Sequence, residues 1–574
     1  MDRDPTADRP NAPSAADALL QGLKAHGVEY FFANPGTDFP SIIEGFARAG
    51  ESGAAVPRPL LVPHETAAVA MAHGVYMVSG RPQAVMVHTN VGTGNTINTL
   101  INAARDNVPM VLMAGRSPLS EKGHRGARTR YIQWAQEMFD QAGMVREIVK
   151  WDYELRLPDQ VEEVLARAFE LAMSSPRGPV YLTLPREILA SAASATGKAP
   201  PRRQPPEPPY ADPQAIDTLA EWLAAAKKPL IITAGIGRTP GGVAALAQLV
   251  ERFALPVVAF NPRFLALPST HPMHQGFQPR PLIEEADVVL VVECDVPWIP
   301  SIEGPPESAR IAHLGEDPAF ARYPLRGFPA DLSITAAAPA ALAALERALA
   351  TRLSQDAPAI VMRRHALAER AAELAQRRRA ETDRDGQADY ITPAFLSRAI
   401  GEAVGTEAII VNEYPLRLEH CPRSLPGSYF GLSPAGGLGW GFGAALGAKL
   451  AAPDKLVVAT LGDGAYVFAN PTACHWVAAA DELPILVVVF NNGLYGAVRN
   501  ATLDLYKSGA AARDGARLLA DLGPSPAYEK LVEASGGYGI RVEKPQELLP
   551  ALERAVAVVT REKRQALVNV ICRY

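Results

Sequence analysis

Short apolar runs alternate with helical patterns along most of this 574-residue chain, and that alternation constrains the fold more than any other feature. The runs 29–34 (EYFFAN), 84–88 (AVMVH), 110–115 (MVLMAG) and 179–184 (PVYLTL) have helix-like stretches between them, such as 66–78 (TAAVAMAHGVYMV). Strands that are apolar on both faces need cover on both faces, and helical crossovers supply it in a parallel sheet. The pattern returns at 229–235, 256–260, 287–293 and 310–315, and again at 407–413, 456–461, 484–490 and 567–572. The expectation is an α/β chain of three doubly wound parallel-sheet domains, at 14–190, 205–350 and 390–574. No short-period repeat is visible, but three blocks of similar size suggest one architecture used repeatedly. The proline-dense run 199–213 (APPRRQPPEPPYADP) reads as a linker, and the charged stretch 351–389 as a solvated connecting helix.

Composition removes several classes of function. A net charge of −5 leaves no basic field for nucleic acid or an anionic membrane surface. No apolar run approaches the roughly 18 residues of a membrane span. The four cysteines, Cys294, Cys421, Cys474 and Cys572, form neither a CxxC pair nor a disulfide framework, which fits a reducing cytoplasm. Residues 1–13 are polar and proline-bearing and read as a loose tail.

One acid stands out. Asp463, in 460–471 (TLGDGAYVFANP), lies between Gly462 and Gly464 at the end of an apolar strand. Ligands bind at the carboxyl ends of strands in open parallel sheets. The next strand ends in Asn491 and Asn492, and the 26 residues between Gly464 and Asn491 suit one helix and a return strand. A carboxylate and an amide oxygen at neighbouring strand ends suit Mg²⁺, which prefers oxygen ligands and phosphate partners. The flanking glycines let a phosphate approach the backbone. Taken alone, Asp463 also reads as a turn aspartate capping the next helix.

GDG followed at this spacing by NN resembles the diphosphate motif of thiamine-diphosphate enzymes. The stretches 491–499 (NNGLYGAVR), 87–100 (VHTNVGTGNTINTL) and 428–447 (SYFGLSPAGGLGWGFGAALG) are similar to those of benzoylformate decarboxylases. The resemblance covers nearly the whole chain. It implies a pyrimidine-binding first domain, a middle domain and a diphosphate-binding third domain. It implies Asp463, the Asn492 side chain and the Leu494 carbonyl as Mg²⁺ ligands. Gly462 and Gly464 would stand by the diphosphate, and the loop with Gly436 and Leu438 by the aminopyrimidine, Leu438 propping the cofactor into a bent shape. Glu65, in 60–74 (LLVPHETAAVAMAHG), matches the acid that activates the cofactor through N1′. Its bland alternative is a helix N-terminal glutamate complementing the dipole. His88 matches a proton-relaying histidine and otherwise reads as a hydrogen-bonded strand-end residue. Thr37, in 34–40 (NPGTDFP), falls where those enzymes contact substrate carboxylate, or caps the following helix.

The substrate side departs from the decarboxylases. Their second histidine has no counterpart in 293–300 (ECDVPWIP); His271 and His274 lie about 25 residues earlier. The segment 465–476 is two residues longer, Asn500 and Ala501 replace bulky aromatics, and the insert 502–523 reads as a lid over the site. The resemblance implies non-oxidative decarboxylation of a small-molecule 2-oxo acid through an enamine. The alternative is an acetolactate-synthase-type carboligase that joins the enamine to an aldehyde or ketone acceptor. A more distant alternative is a non-catalytic nucleotide- or CoA-binding protein on the same fold. No FAD is expected, because 292–298 (VECDVPW) lacks the flavin-associated pattern and 234–242 (AGIGRTPGG) is no dinucleotide fingerprint. The resemblance also implies a cofactor shared between the first domain of one chain and the third of its partner, and with it a homodimer or homotetramer.

Overall fold

A computed structural model describes residues 13–193 and 203–573. The expected tail at 1–13 and the linker segment 199–202 therefore lie almost wholly outside the described residues; 203–212 is irregular.

Three parallel sheets are present. The first holds β1 (Tyr30–Asn34), β2 (Arg58–Leu61), β3 (Gln83–Val87), β4 (Met110–Arg116), β5 (Asp152–Glu154) and β6 (Val180–Pro185). The second holds β7 (Pro229–Thr233), β8 (Val257–Ala259), β9 (Val288–Val292), β10 (Arg310–Gly315) and β11 (Leu332–Thr335). The third holds β12 (Ile409–Glu413), β13 (Tyr429–Gly431), β14 (Val457–Gly462), β15 (Leu486–Asn491), β16 (Tyr538–Val542) and β17 (Ala566–Ile571). Every run expected to be a strand is one.

The strand order of the first sheet is β2-β1-β3-β4-β6-β5, and that of the third is β13-β12-β14-β15-β17-β16, the same order in corresponding strands. The middle sheet runs β11-β10-β9-β7-β8. The repeated architecture thus relates the first and third units, and the middle unit has an order of its own.

The matching strand orders give matching helices. Glu65–Ser79 follows β2 and Trp440–Ala451 follows β13. They pack on each other through small residues. A Cβ at Gly74 would lie 2.0 Å from the Ala444 carbonyl oxygen, and one at Gly447 would lie 2.0 Å from that of Met71. Only glycine allows backbones this close. One apolar core runs across the contact, from Phe32, Leu60 and Val69 to Phe442, Val457 and Leu461. The middle unit joins through buried charges: Arg263 pairs with Asp295 at 2.9 Å and lies 3.5 Å from Asp106 of the first unit. The charged stretch after it forms one helix, Pro358–Asp385.

Candidate active site

β14 delivers Asp463 to the first turn of the helix Asp463–Phe468. The N-cap is Gly462, so Asp463 is not the capping residue. Its carboxylate is 2% exposed and accepts the Gly493 N–H at 2.9 Å. Burial pushes its pKa up to about 6 against the pull of those backbone donors. A desolvated carboxylate of this kind gains most from a cation. Asn492 lies on the turn after β15, its Oδ1 accepting the Leu494 N–H at 3.0 Å. Asn491 bonds instead into the sheet, to Asn569 and Ser525. A Cβ at Gly462 or Gly493 would meet nothing within 4 Å, so there is room beside Asp463. Gly464 lies against the ring of Tyr495.

Among the described residues no group of three or more His, Cys, Asp or Glu side chains could hold a metal ion. The donors here are one carboxylate, one amide and backbone oxygen, the set a phosphate-carrying Mg²⁺ takes. The residues fit a metal-bound diphosphate.

Glu65 opens its helix, 7% exposed, and accepts from Asn95 Nδ2 at 3.1 Å. One turn along the helix Thr89–Arg105, Asn98 Nδ2 donates to the Leu438 carbonyl at 2.8 Å. Asn102 bonds the N–H and carbonyl of Gly437 at 3.0 and 2.7 Å. The 436–439 loop is pinned from its other side by Glu413, the last residue of β12, which accepts from Gly439 and Gly441 N–H at 2.7 and 2.5 Å. Burial raises the Glu413 pKa to about 7. Gly436 and Gly439 adopt φ of 68° and 84°, which glycine alone takes without strain.

His88 caps the same Thr89–Arg105 helix. Its Nδ1 lies 2.5 Å from Asp38 Oδ1 and its Nε2 lies 3.1 Å from Gln136 Nε2. The Asp38 hydrogen bond raises the His88 pKa against a smaller lowering by burial. Thr37 stands exposed on the neighbouring turn. It does not cap the helix Pro40–Ser52, whose N-cap is Phe39. His271 and His274 are buried in the middle unit, their Nδ1 atoms accepting from Met273 and Gly276 N–H. The stretch without a second histidine also turns inward: Glu293 pairs with Arg238, and Asp295 with Arg263. The insert 502–523 folds back on the Asn492 turn, through Tyr495 N–H to the Ala520 carbonyl and Leu522 N–H to the Gly493 carbonyl. A cavity of about 780 Å³ opens at the amino ends of the strands, lined by Tyr30, Lys449 and Gln565 among others, and Glu65, His88, Asp463 and Asn492 do not line it.

Asp38, Gln136, Asn98, Asn102 and Glu413 are missing from the sequence reading. Asp38 lies within 34–40, and Asn98, like Asn95, within 87–100. Gln136 sits in an irregular loop with no local signal.

Fold and residues together fit an α/β enzyme with a diphosphate cofactor. Comparison with known proteins gives its family. The chain matches "Thiamine pyrophosphate enzyme, N-terminal TPP binding domain" over residues 13–144, the central domain over 216–345 and the C-terminal TPP binding domain over 412–570. It belongs to the thiamine pyrophosphate enzymes. It is 29% identical to a benzoylformate decarboxylase of Pseudomonas aeruginosa over 501 residues, 84% of this chain and 86% of that protein. It is 27% identical to acetolactate synthase isozyme 3 large subunit of Escherichia coli, covering 97% and 94%. In fold it resembles a thiamine diphosphate-dependent 4-hydroxybenzoylformate decarboxylase of Rhodococcus jostii RHA1, with a TM-score of 0.78 at 22% identity, covering 98% of this chain and 99% of that one.

Proposed function

We propose that this chain decarboxylates a small-molecule 2-oxo acid non-oxidatively, with thiamine diphosphate and Mg²⁺. The observation that carries the reading is the pair Asn95 and Asn98. One turn apart on one helix, they fasten Glu65 and the Leu438 loop. The activating acid and the cofactor prop are thereby tied to one rigid element. When bound, thiamine diphosphate supplies the carbon nucleophile and the sink for the electrons released with CO₂.

Asp463 and Asn492 hold the cation, with the Leu494 carbonyl as third ligand. Gly462 leaves the diphosphate room, and Gly464 would meet it through its backbone, its other side being filled by Tyr495. Glu65, buried and dry, would share a proton with N1′ of the bound cofactor. Gly436 and Leu438 shape the pocket for the ring system. Thr37 meets the substrate carboxylate, and His88 moves a proton at the substrate end. The insert 502–523 covers the entrance. The working units are 14–190, 205–350 and 390–574, joined by the 351–389 helix. No flavin is part of the reading, and the four buried unpaired thiols favour a cytoplasmic setting.

Carboligation is the second reading. Of His88, His271 and His274, His88 stands at this end of the site, whereas His271 and His274, like the 293–300 stretch, bond inside the middle unit. One proton donor favours capture by a carbonyl acceptor over protonation. A product assay across a panel of 2-oxo acids, with and without an aldehyde, tests both. Aldehyde as sole product supports decarboxylation, and 2-hydroxyketone supports carboligation. No CO₂ from any member of the panel defeats both.

A further inference from the structure

His88 meets two side chains to which no role is assigned. Asp38 is 3% exposed and is held from several directions. Its Oδ2 accepts the Thr89 N–H at 3.3 Å. Thr89 itself has φ of 41°, an uncommon and strained value for a β-branched residue, and the turn it makes carries His88 onto Asp38. A Cβ at Gly36 would lie 2.2 Å from the His88 ring, and one at Gly115 would lie 1.9 Å from Asp38 Oδ2. Two glycines therefore make way for this one contact.

A carboxylate only accepts, so the His88 nitrogen facing it, Nδ1, carries a hydrogen. Nε2 is left as the nitrogen that changes its proton. There Gln136 presents an amide nitrogen at 3.1 Å, while its Oε1 is buried without a partner. The amide thus has one end that donates to a neutral Nε2 and another that accepts from a protonated one. A half-turn about its terminal torsion exchanges them.

We propose that Asp38, His88 and Gln136 form a proton relay at the substrate end of the site, in which Asp38 is a positioning residue that fixes the Nδ1–H tautomer and Gln136 serves Nε2 in either charge state until substrate takes its place. The relay rests on the proposed 2-oxo acid reaction for its substrate. In the delivering step the Nε2–H bond breaks and a bond from that hydrogen to a substrate carbon or oxygen forms. The ring is left neutral with Nδ1–H on Asp38, and the Gln136 amide turns to donate to the lone pair freed on Nε2. Water reprotonates Nε2 along the 18% of the His88 side chain that is exposed. The charges facing His88 are Asp38 and Glu65, both of which favour its cation. Glu137, next to Gln136, is occupied by Arg116 and Arg128.

The test is ¹⁵N NMR of histidine-labelled holoenzyme, with His88 assigned by its loss in His88→Gln. In wild type, His88 should titrate above 6.5 and keep Nδ1–H when neutral. In Asp38→Asn, its midpoint should fall, and the alkaline limb of the kcat/KM profile, where the donor loses its proton, should move down by the same amount. Turnover at neutral pH should drop about 10²-fold, the range for a positioned acid or base, at unchanged cofactor affinity. An unmoved His88 midpoint in folded Asp38→Asn overturns the relay. Gln136→Glu covers the case in which Asp38→Asn fails to fold. It places a full carboxylate at Nε2, so the midpoint should rise and KM for the anionic acid should increase more than kcat falls. No change in the midpoint there also overturns the proposal. If the midpoints move as stated and no 2-oxo acid turns over, the relay stands and the reaction reading falls.

Discussion

Asn98 donates to the main-chain carbonyl of Leu438 at 2.8 Å across 340 positions of sequence. That bond joins the helix after β3 of one sheet to the loop before the matching helix of the other, beside the proposed site. Asn98→Ala should loosen the 436–439 loop and weaken thiamine diphosphate binding by about tenfold, the scale of one lost hydrogen bond. Calorimetry on the folded variant checks this, and wild-type affinity would show that the bond positions nothing.

Asp463→Ala should abolish Mg²⁺-dependent cofactor binding, because the diphosphate loses its bridging cation. Titration of cofactor with and without Mg²⁺ measures it. Binding that stays Mg²⁺-dependent at wild-type strength would remove Asp463 from the ligand set.

Glu65→Gln keeps the shape and the Asn95 contact but has no carboxyl proton to share. Cofactor should still bind, while exchange of its C2 proton slows by orders of magnitude. Exchange followed by NMR at the wild-type rate would assign activation to another group.

The Gly74 and Gly447 contacts are as close as backbones come. Alanine at either should cost about 1–3 kcal/mol, the usual range for overpacking, because backbone cannot step aside as a side-chain end can. Thermal unfolding of both variants reads this directly. Unchanged melting in both would mean that the two helices can separate freely.

Burial raises Asp106 to about 7 in the folded chain. An unfolded aspartate has a pKa of about 3.9. Between those values the folded state holds a proton that the unfolded state has released. Its contribution is therefore full below about 3.9 and is lost as pH rises through about 7. Wild type should lose more stability than Asp106→Asn over that interval. Parallel stability curves for the two in denaturant titrations would refute it.

The pairing of the helices Glu65–Ser79 and Trp440–Ala451 joins the first and third units within one chain here, whereas the resemblance implies a cofactor shared across two chains. The interface is indifferent to which chain supplies each half, since exchange of first units between two copies preserves every contact. In a dimer built that way, mixing Glu65→Gln with Asp463→Ala chains puts both lesions in one site and leaves the other whole. Up to about half the activity of the mixed dimer should return. Silence after verified exchange would assign each site to a single chain.

The sequence by itself determined the central strands of all three sheets, because a strand covered on both faces must be apolar throughout, as β3 and β15 are. The strands it left unread, β2, β5, β11, β13 and β16, are all sheet edges. An edge strand such as Arg58–Leu61, mostly exposed, carries no continuous apolar run to read. The positions of Asp463, Asn492 and Glu65, at a strand end, a turn and a helix start, were legible because the motifs that hold them are local. Asp38, Gln136 and Glu413 act on atoms 26 to 50 positions away, and no spacing along the chain records that. Only the packing of the sheets, with Gly36, Gly115, Gly74 and Gly447 clearing the space, decided which side chains meet.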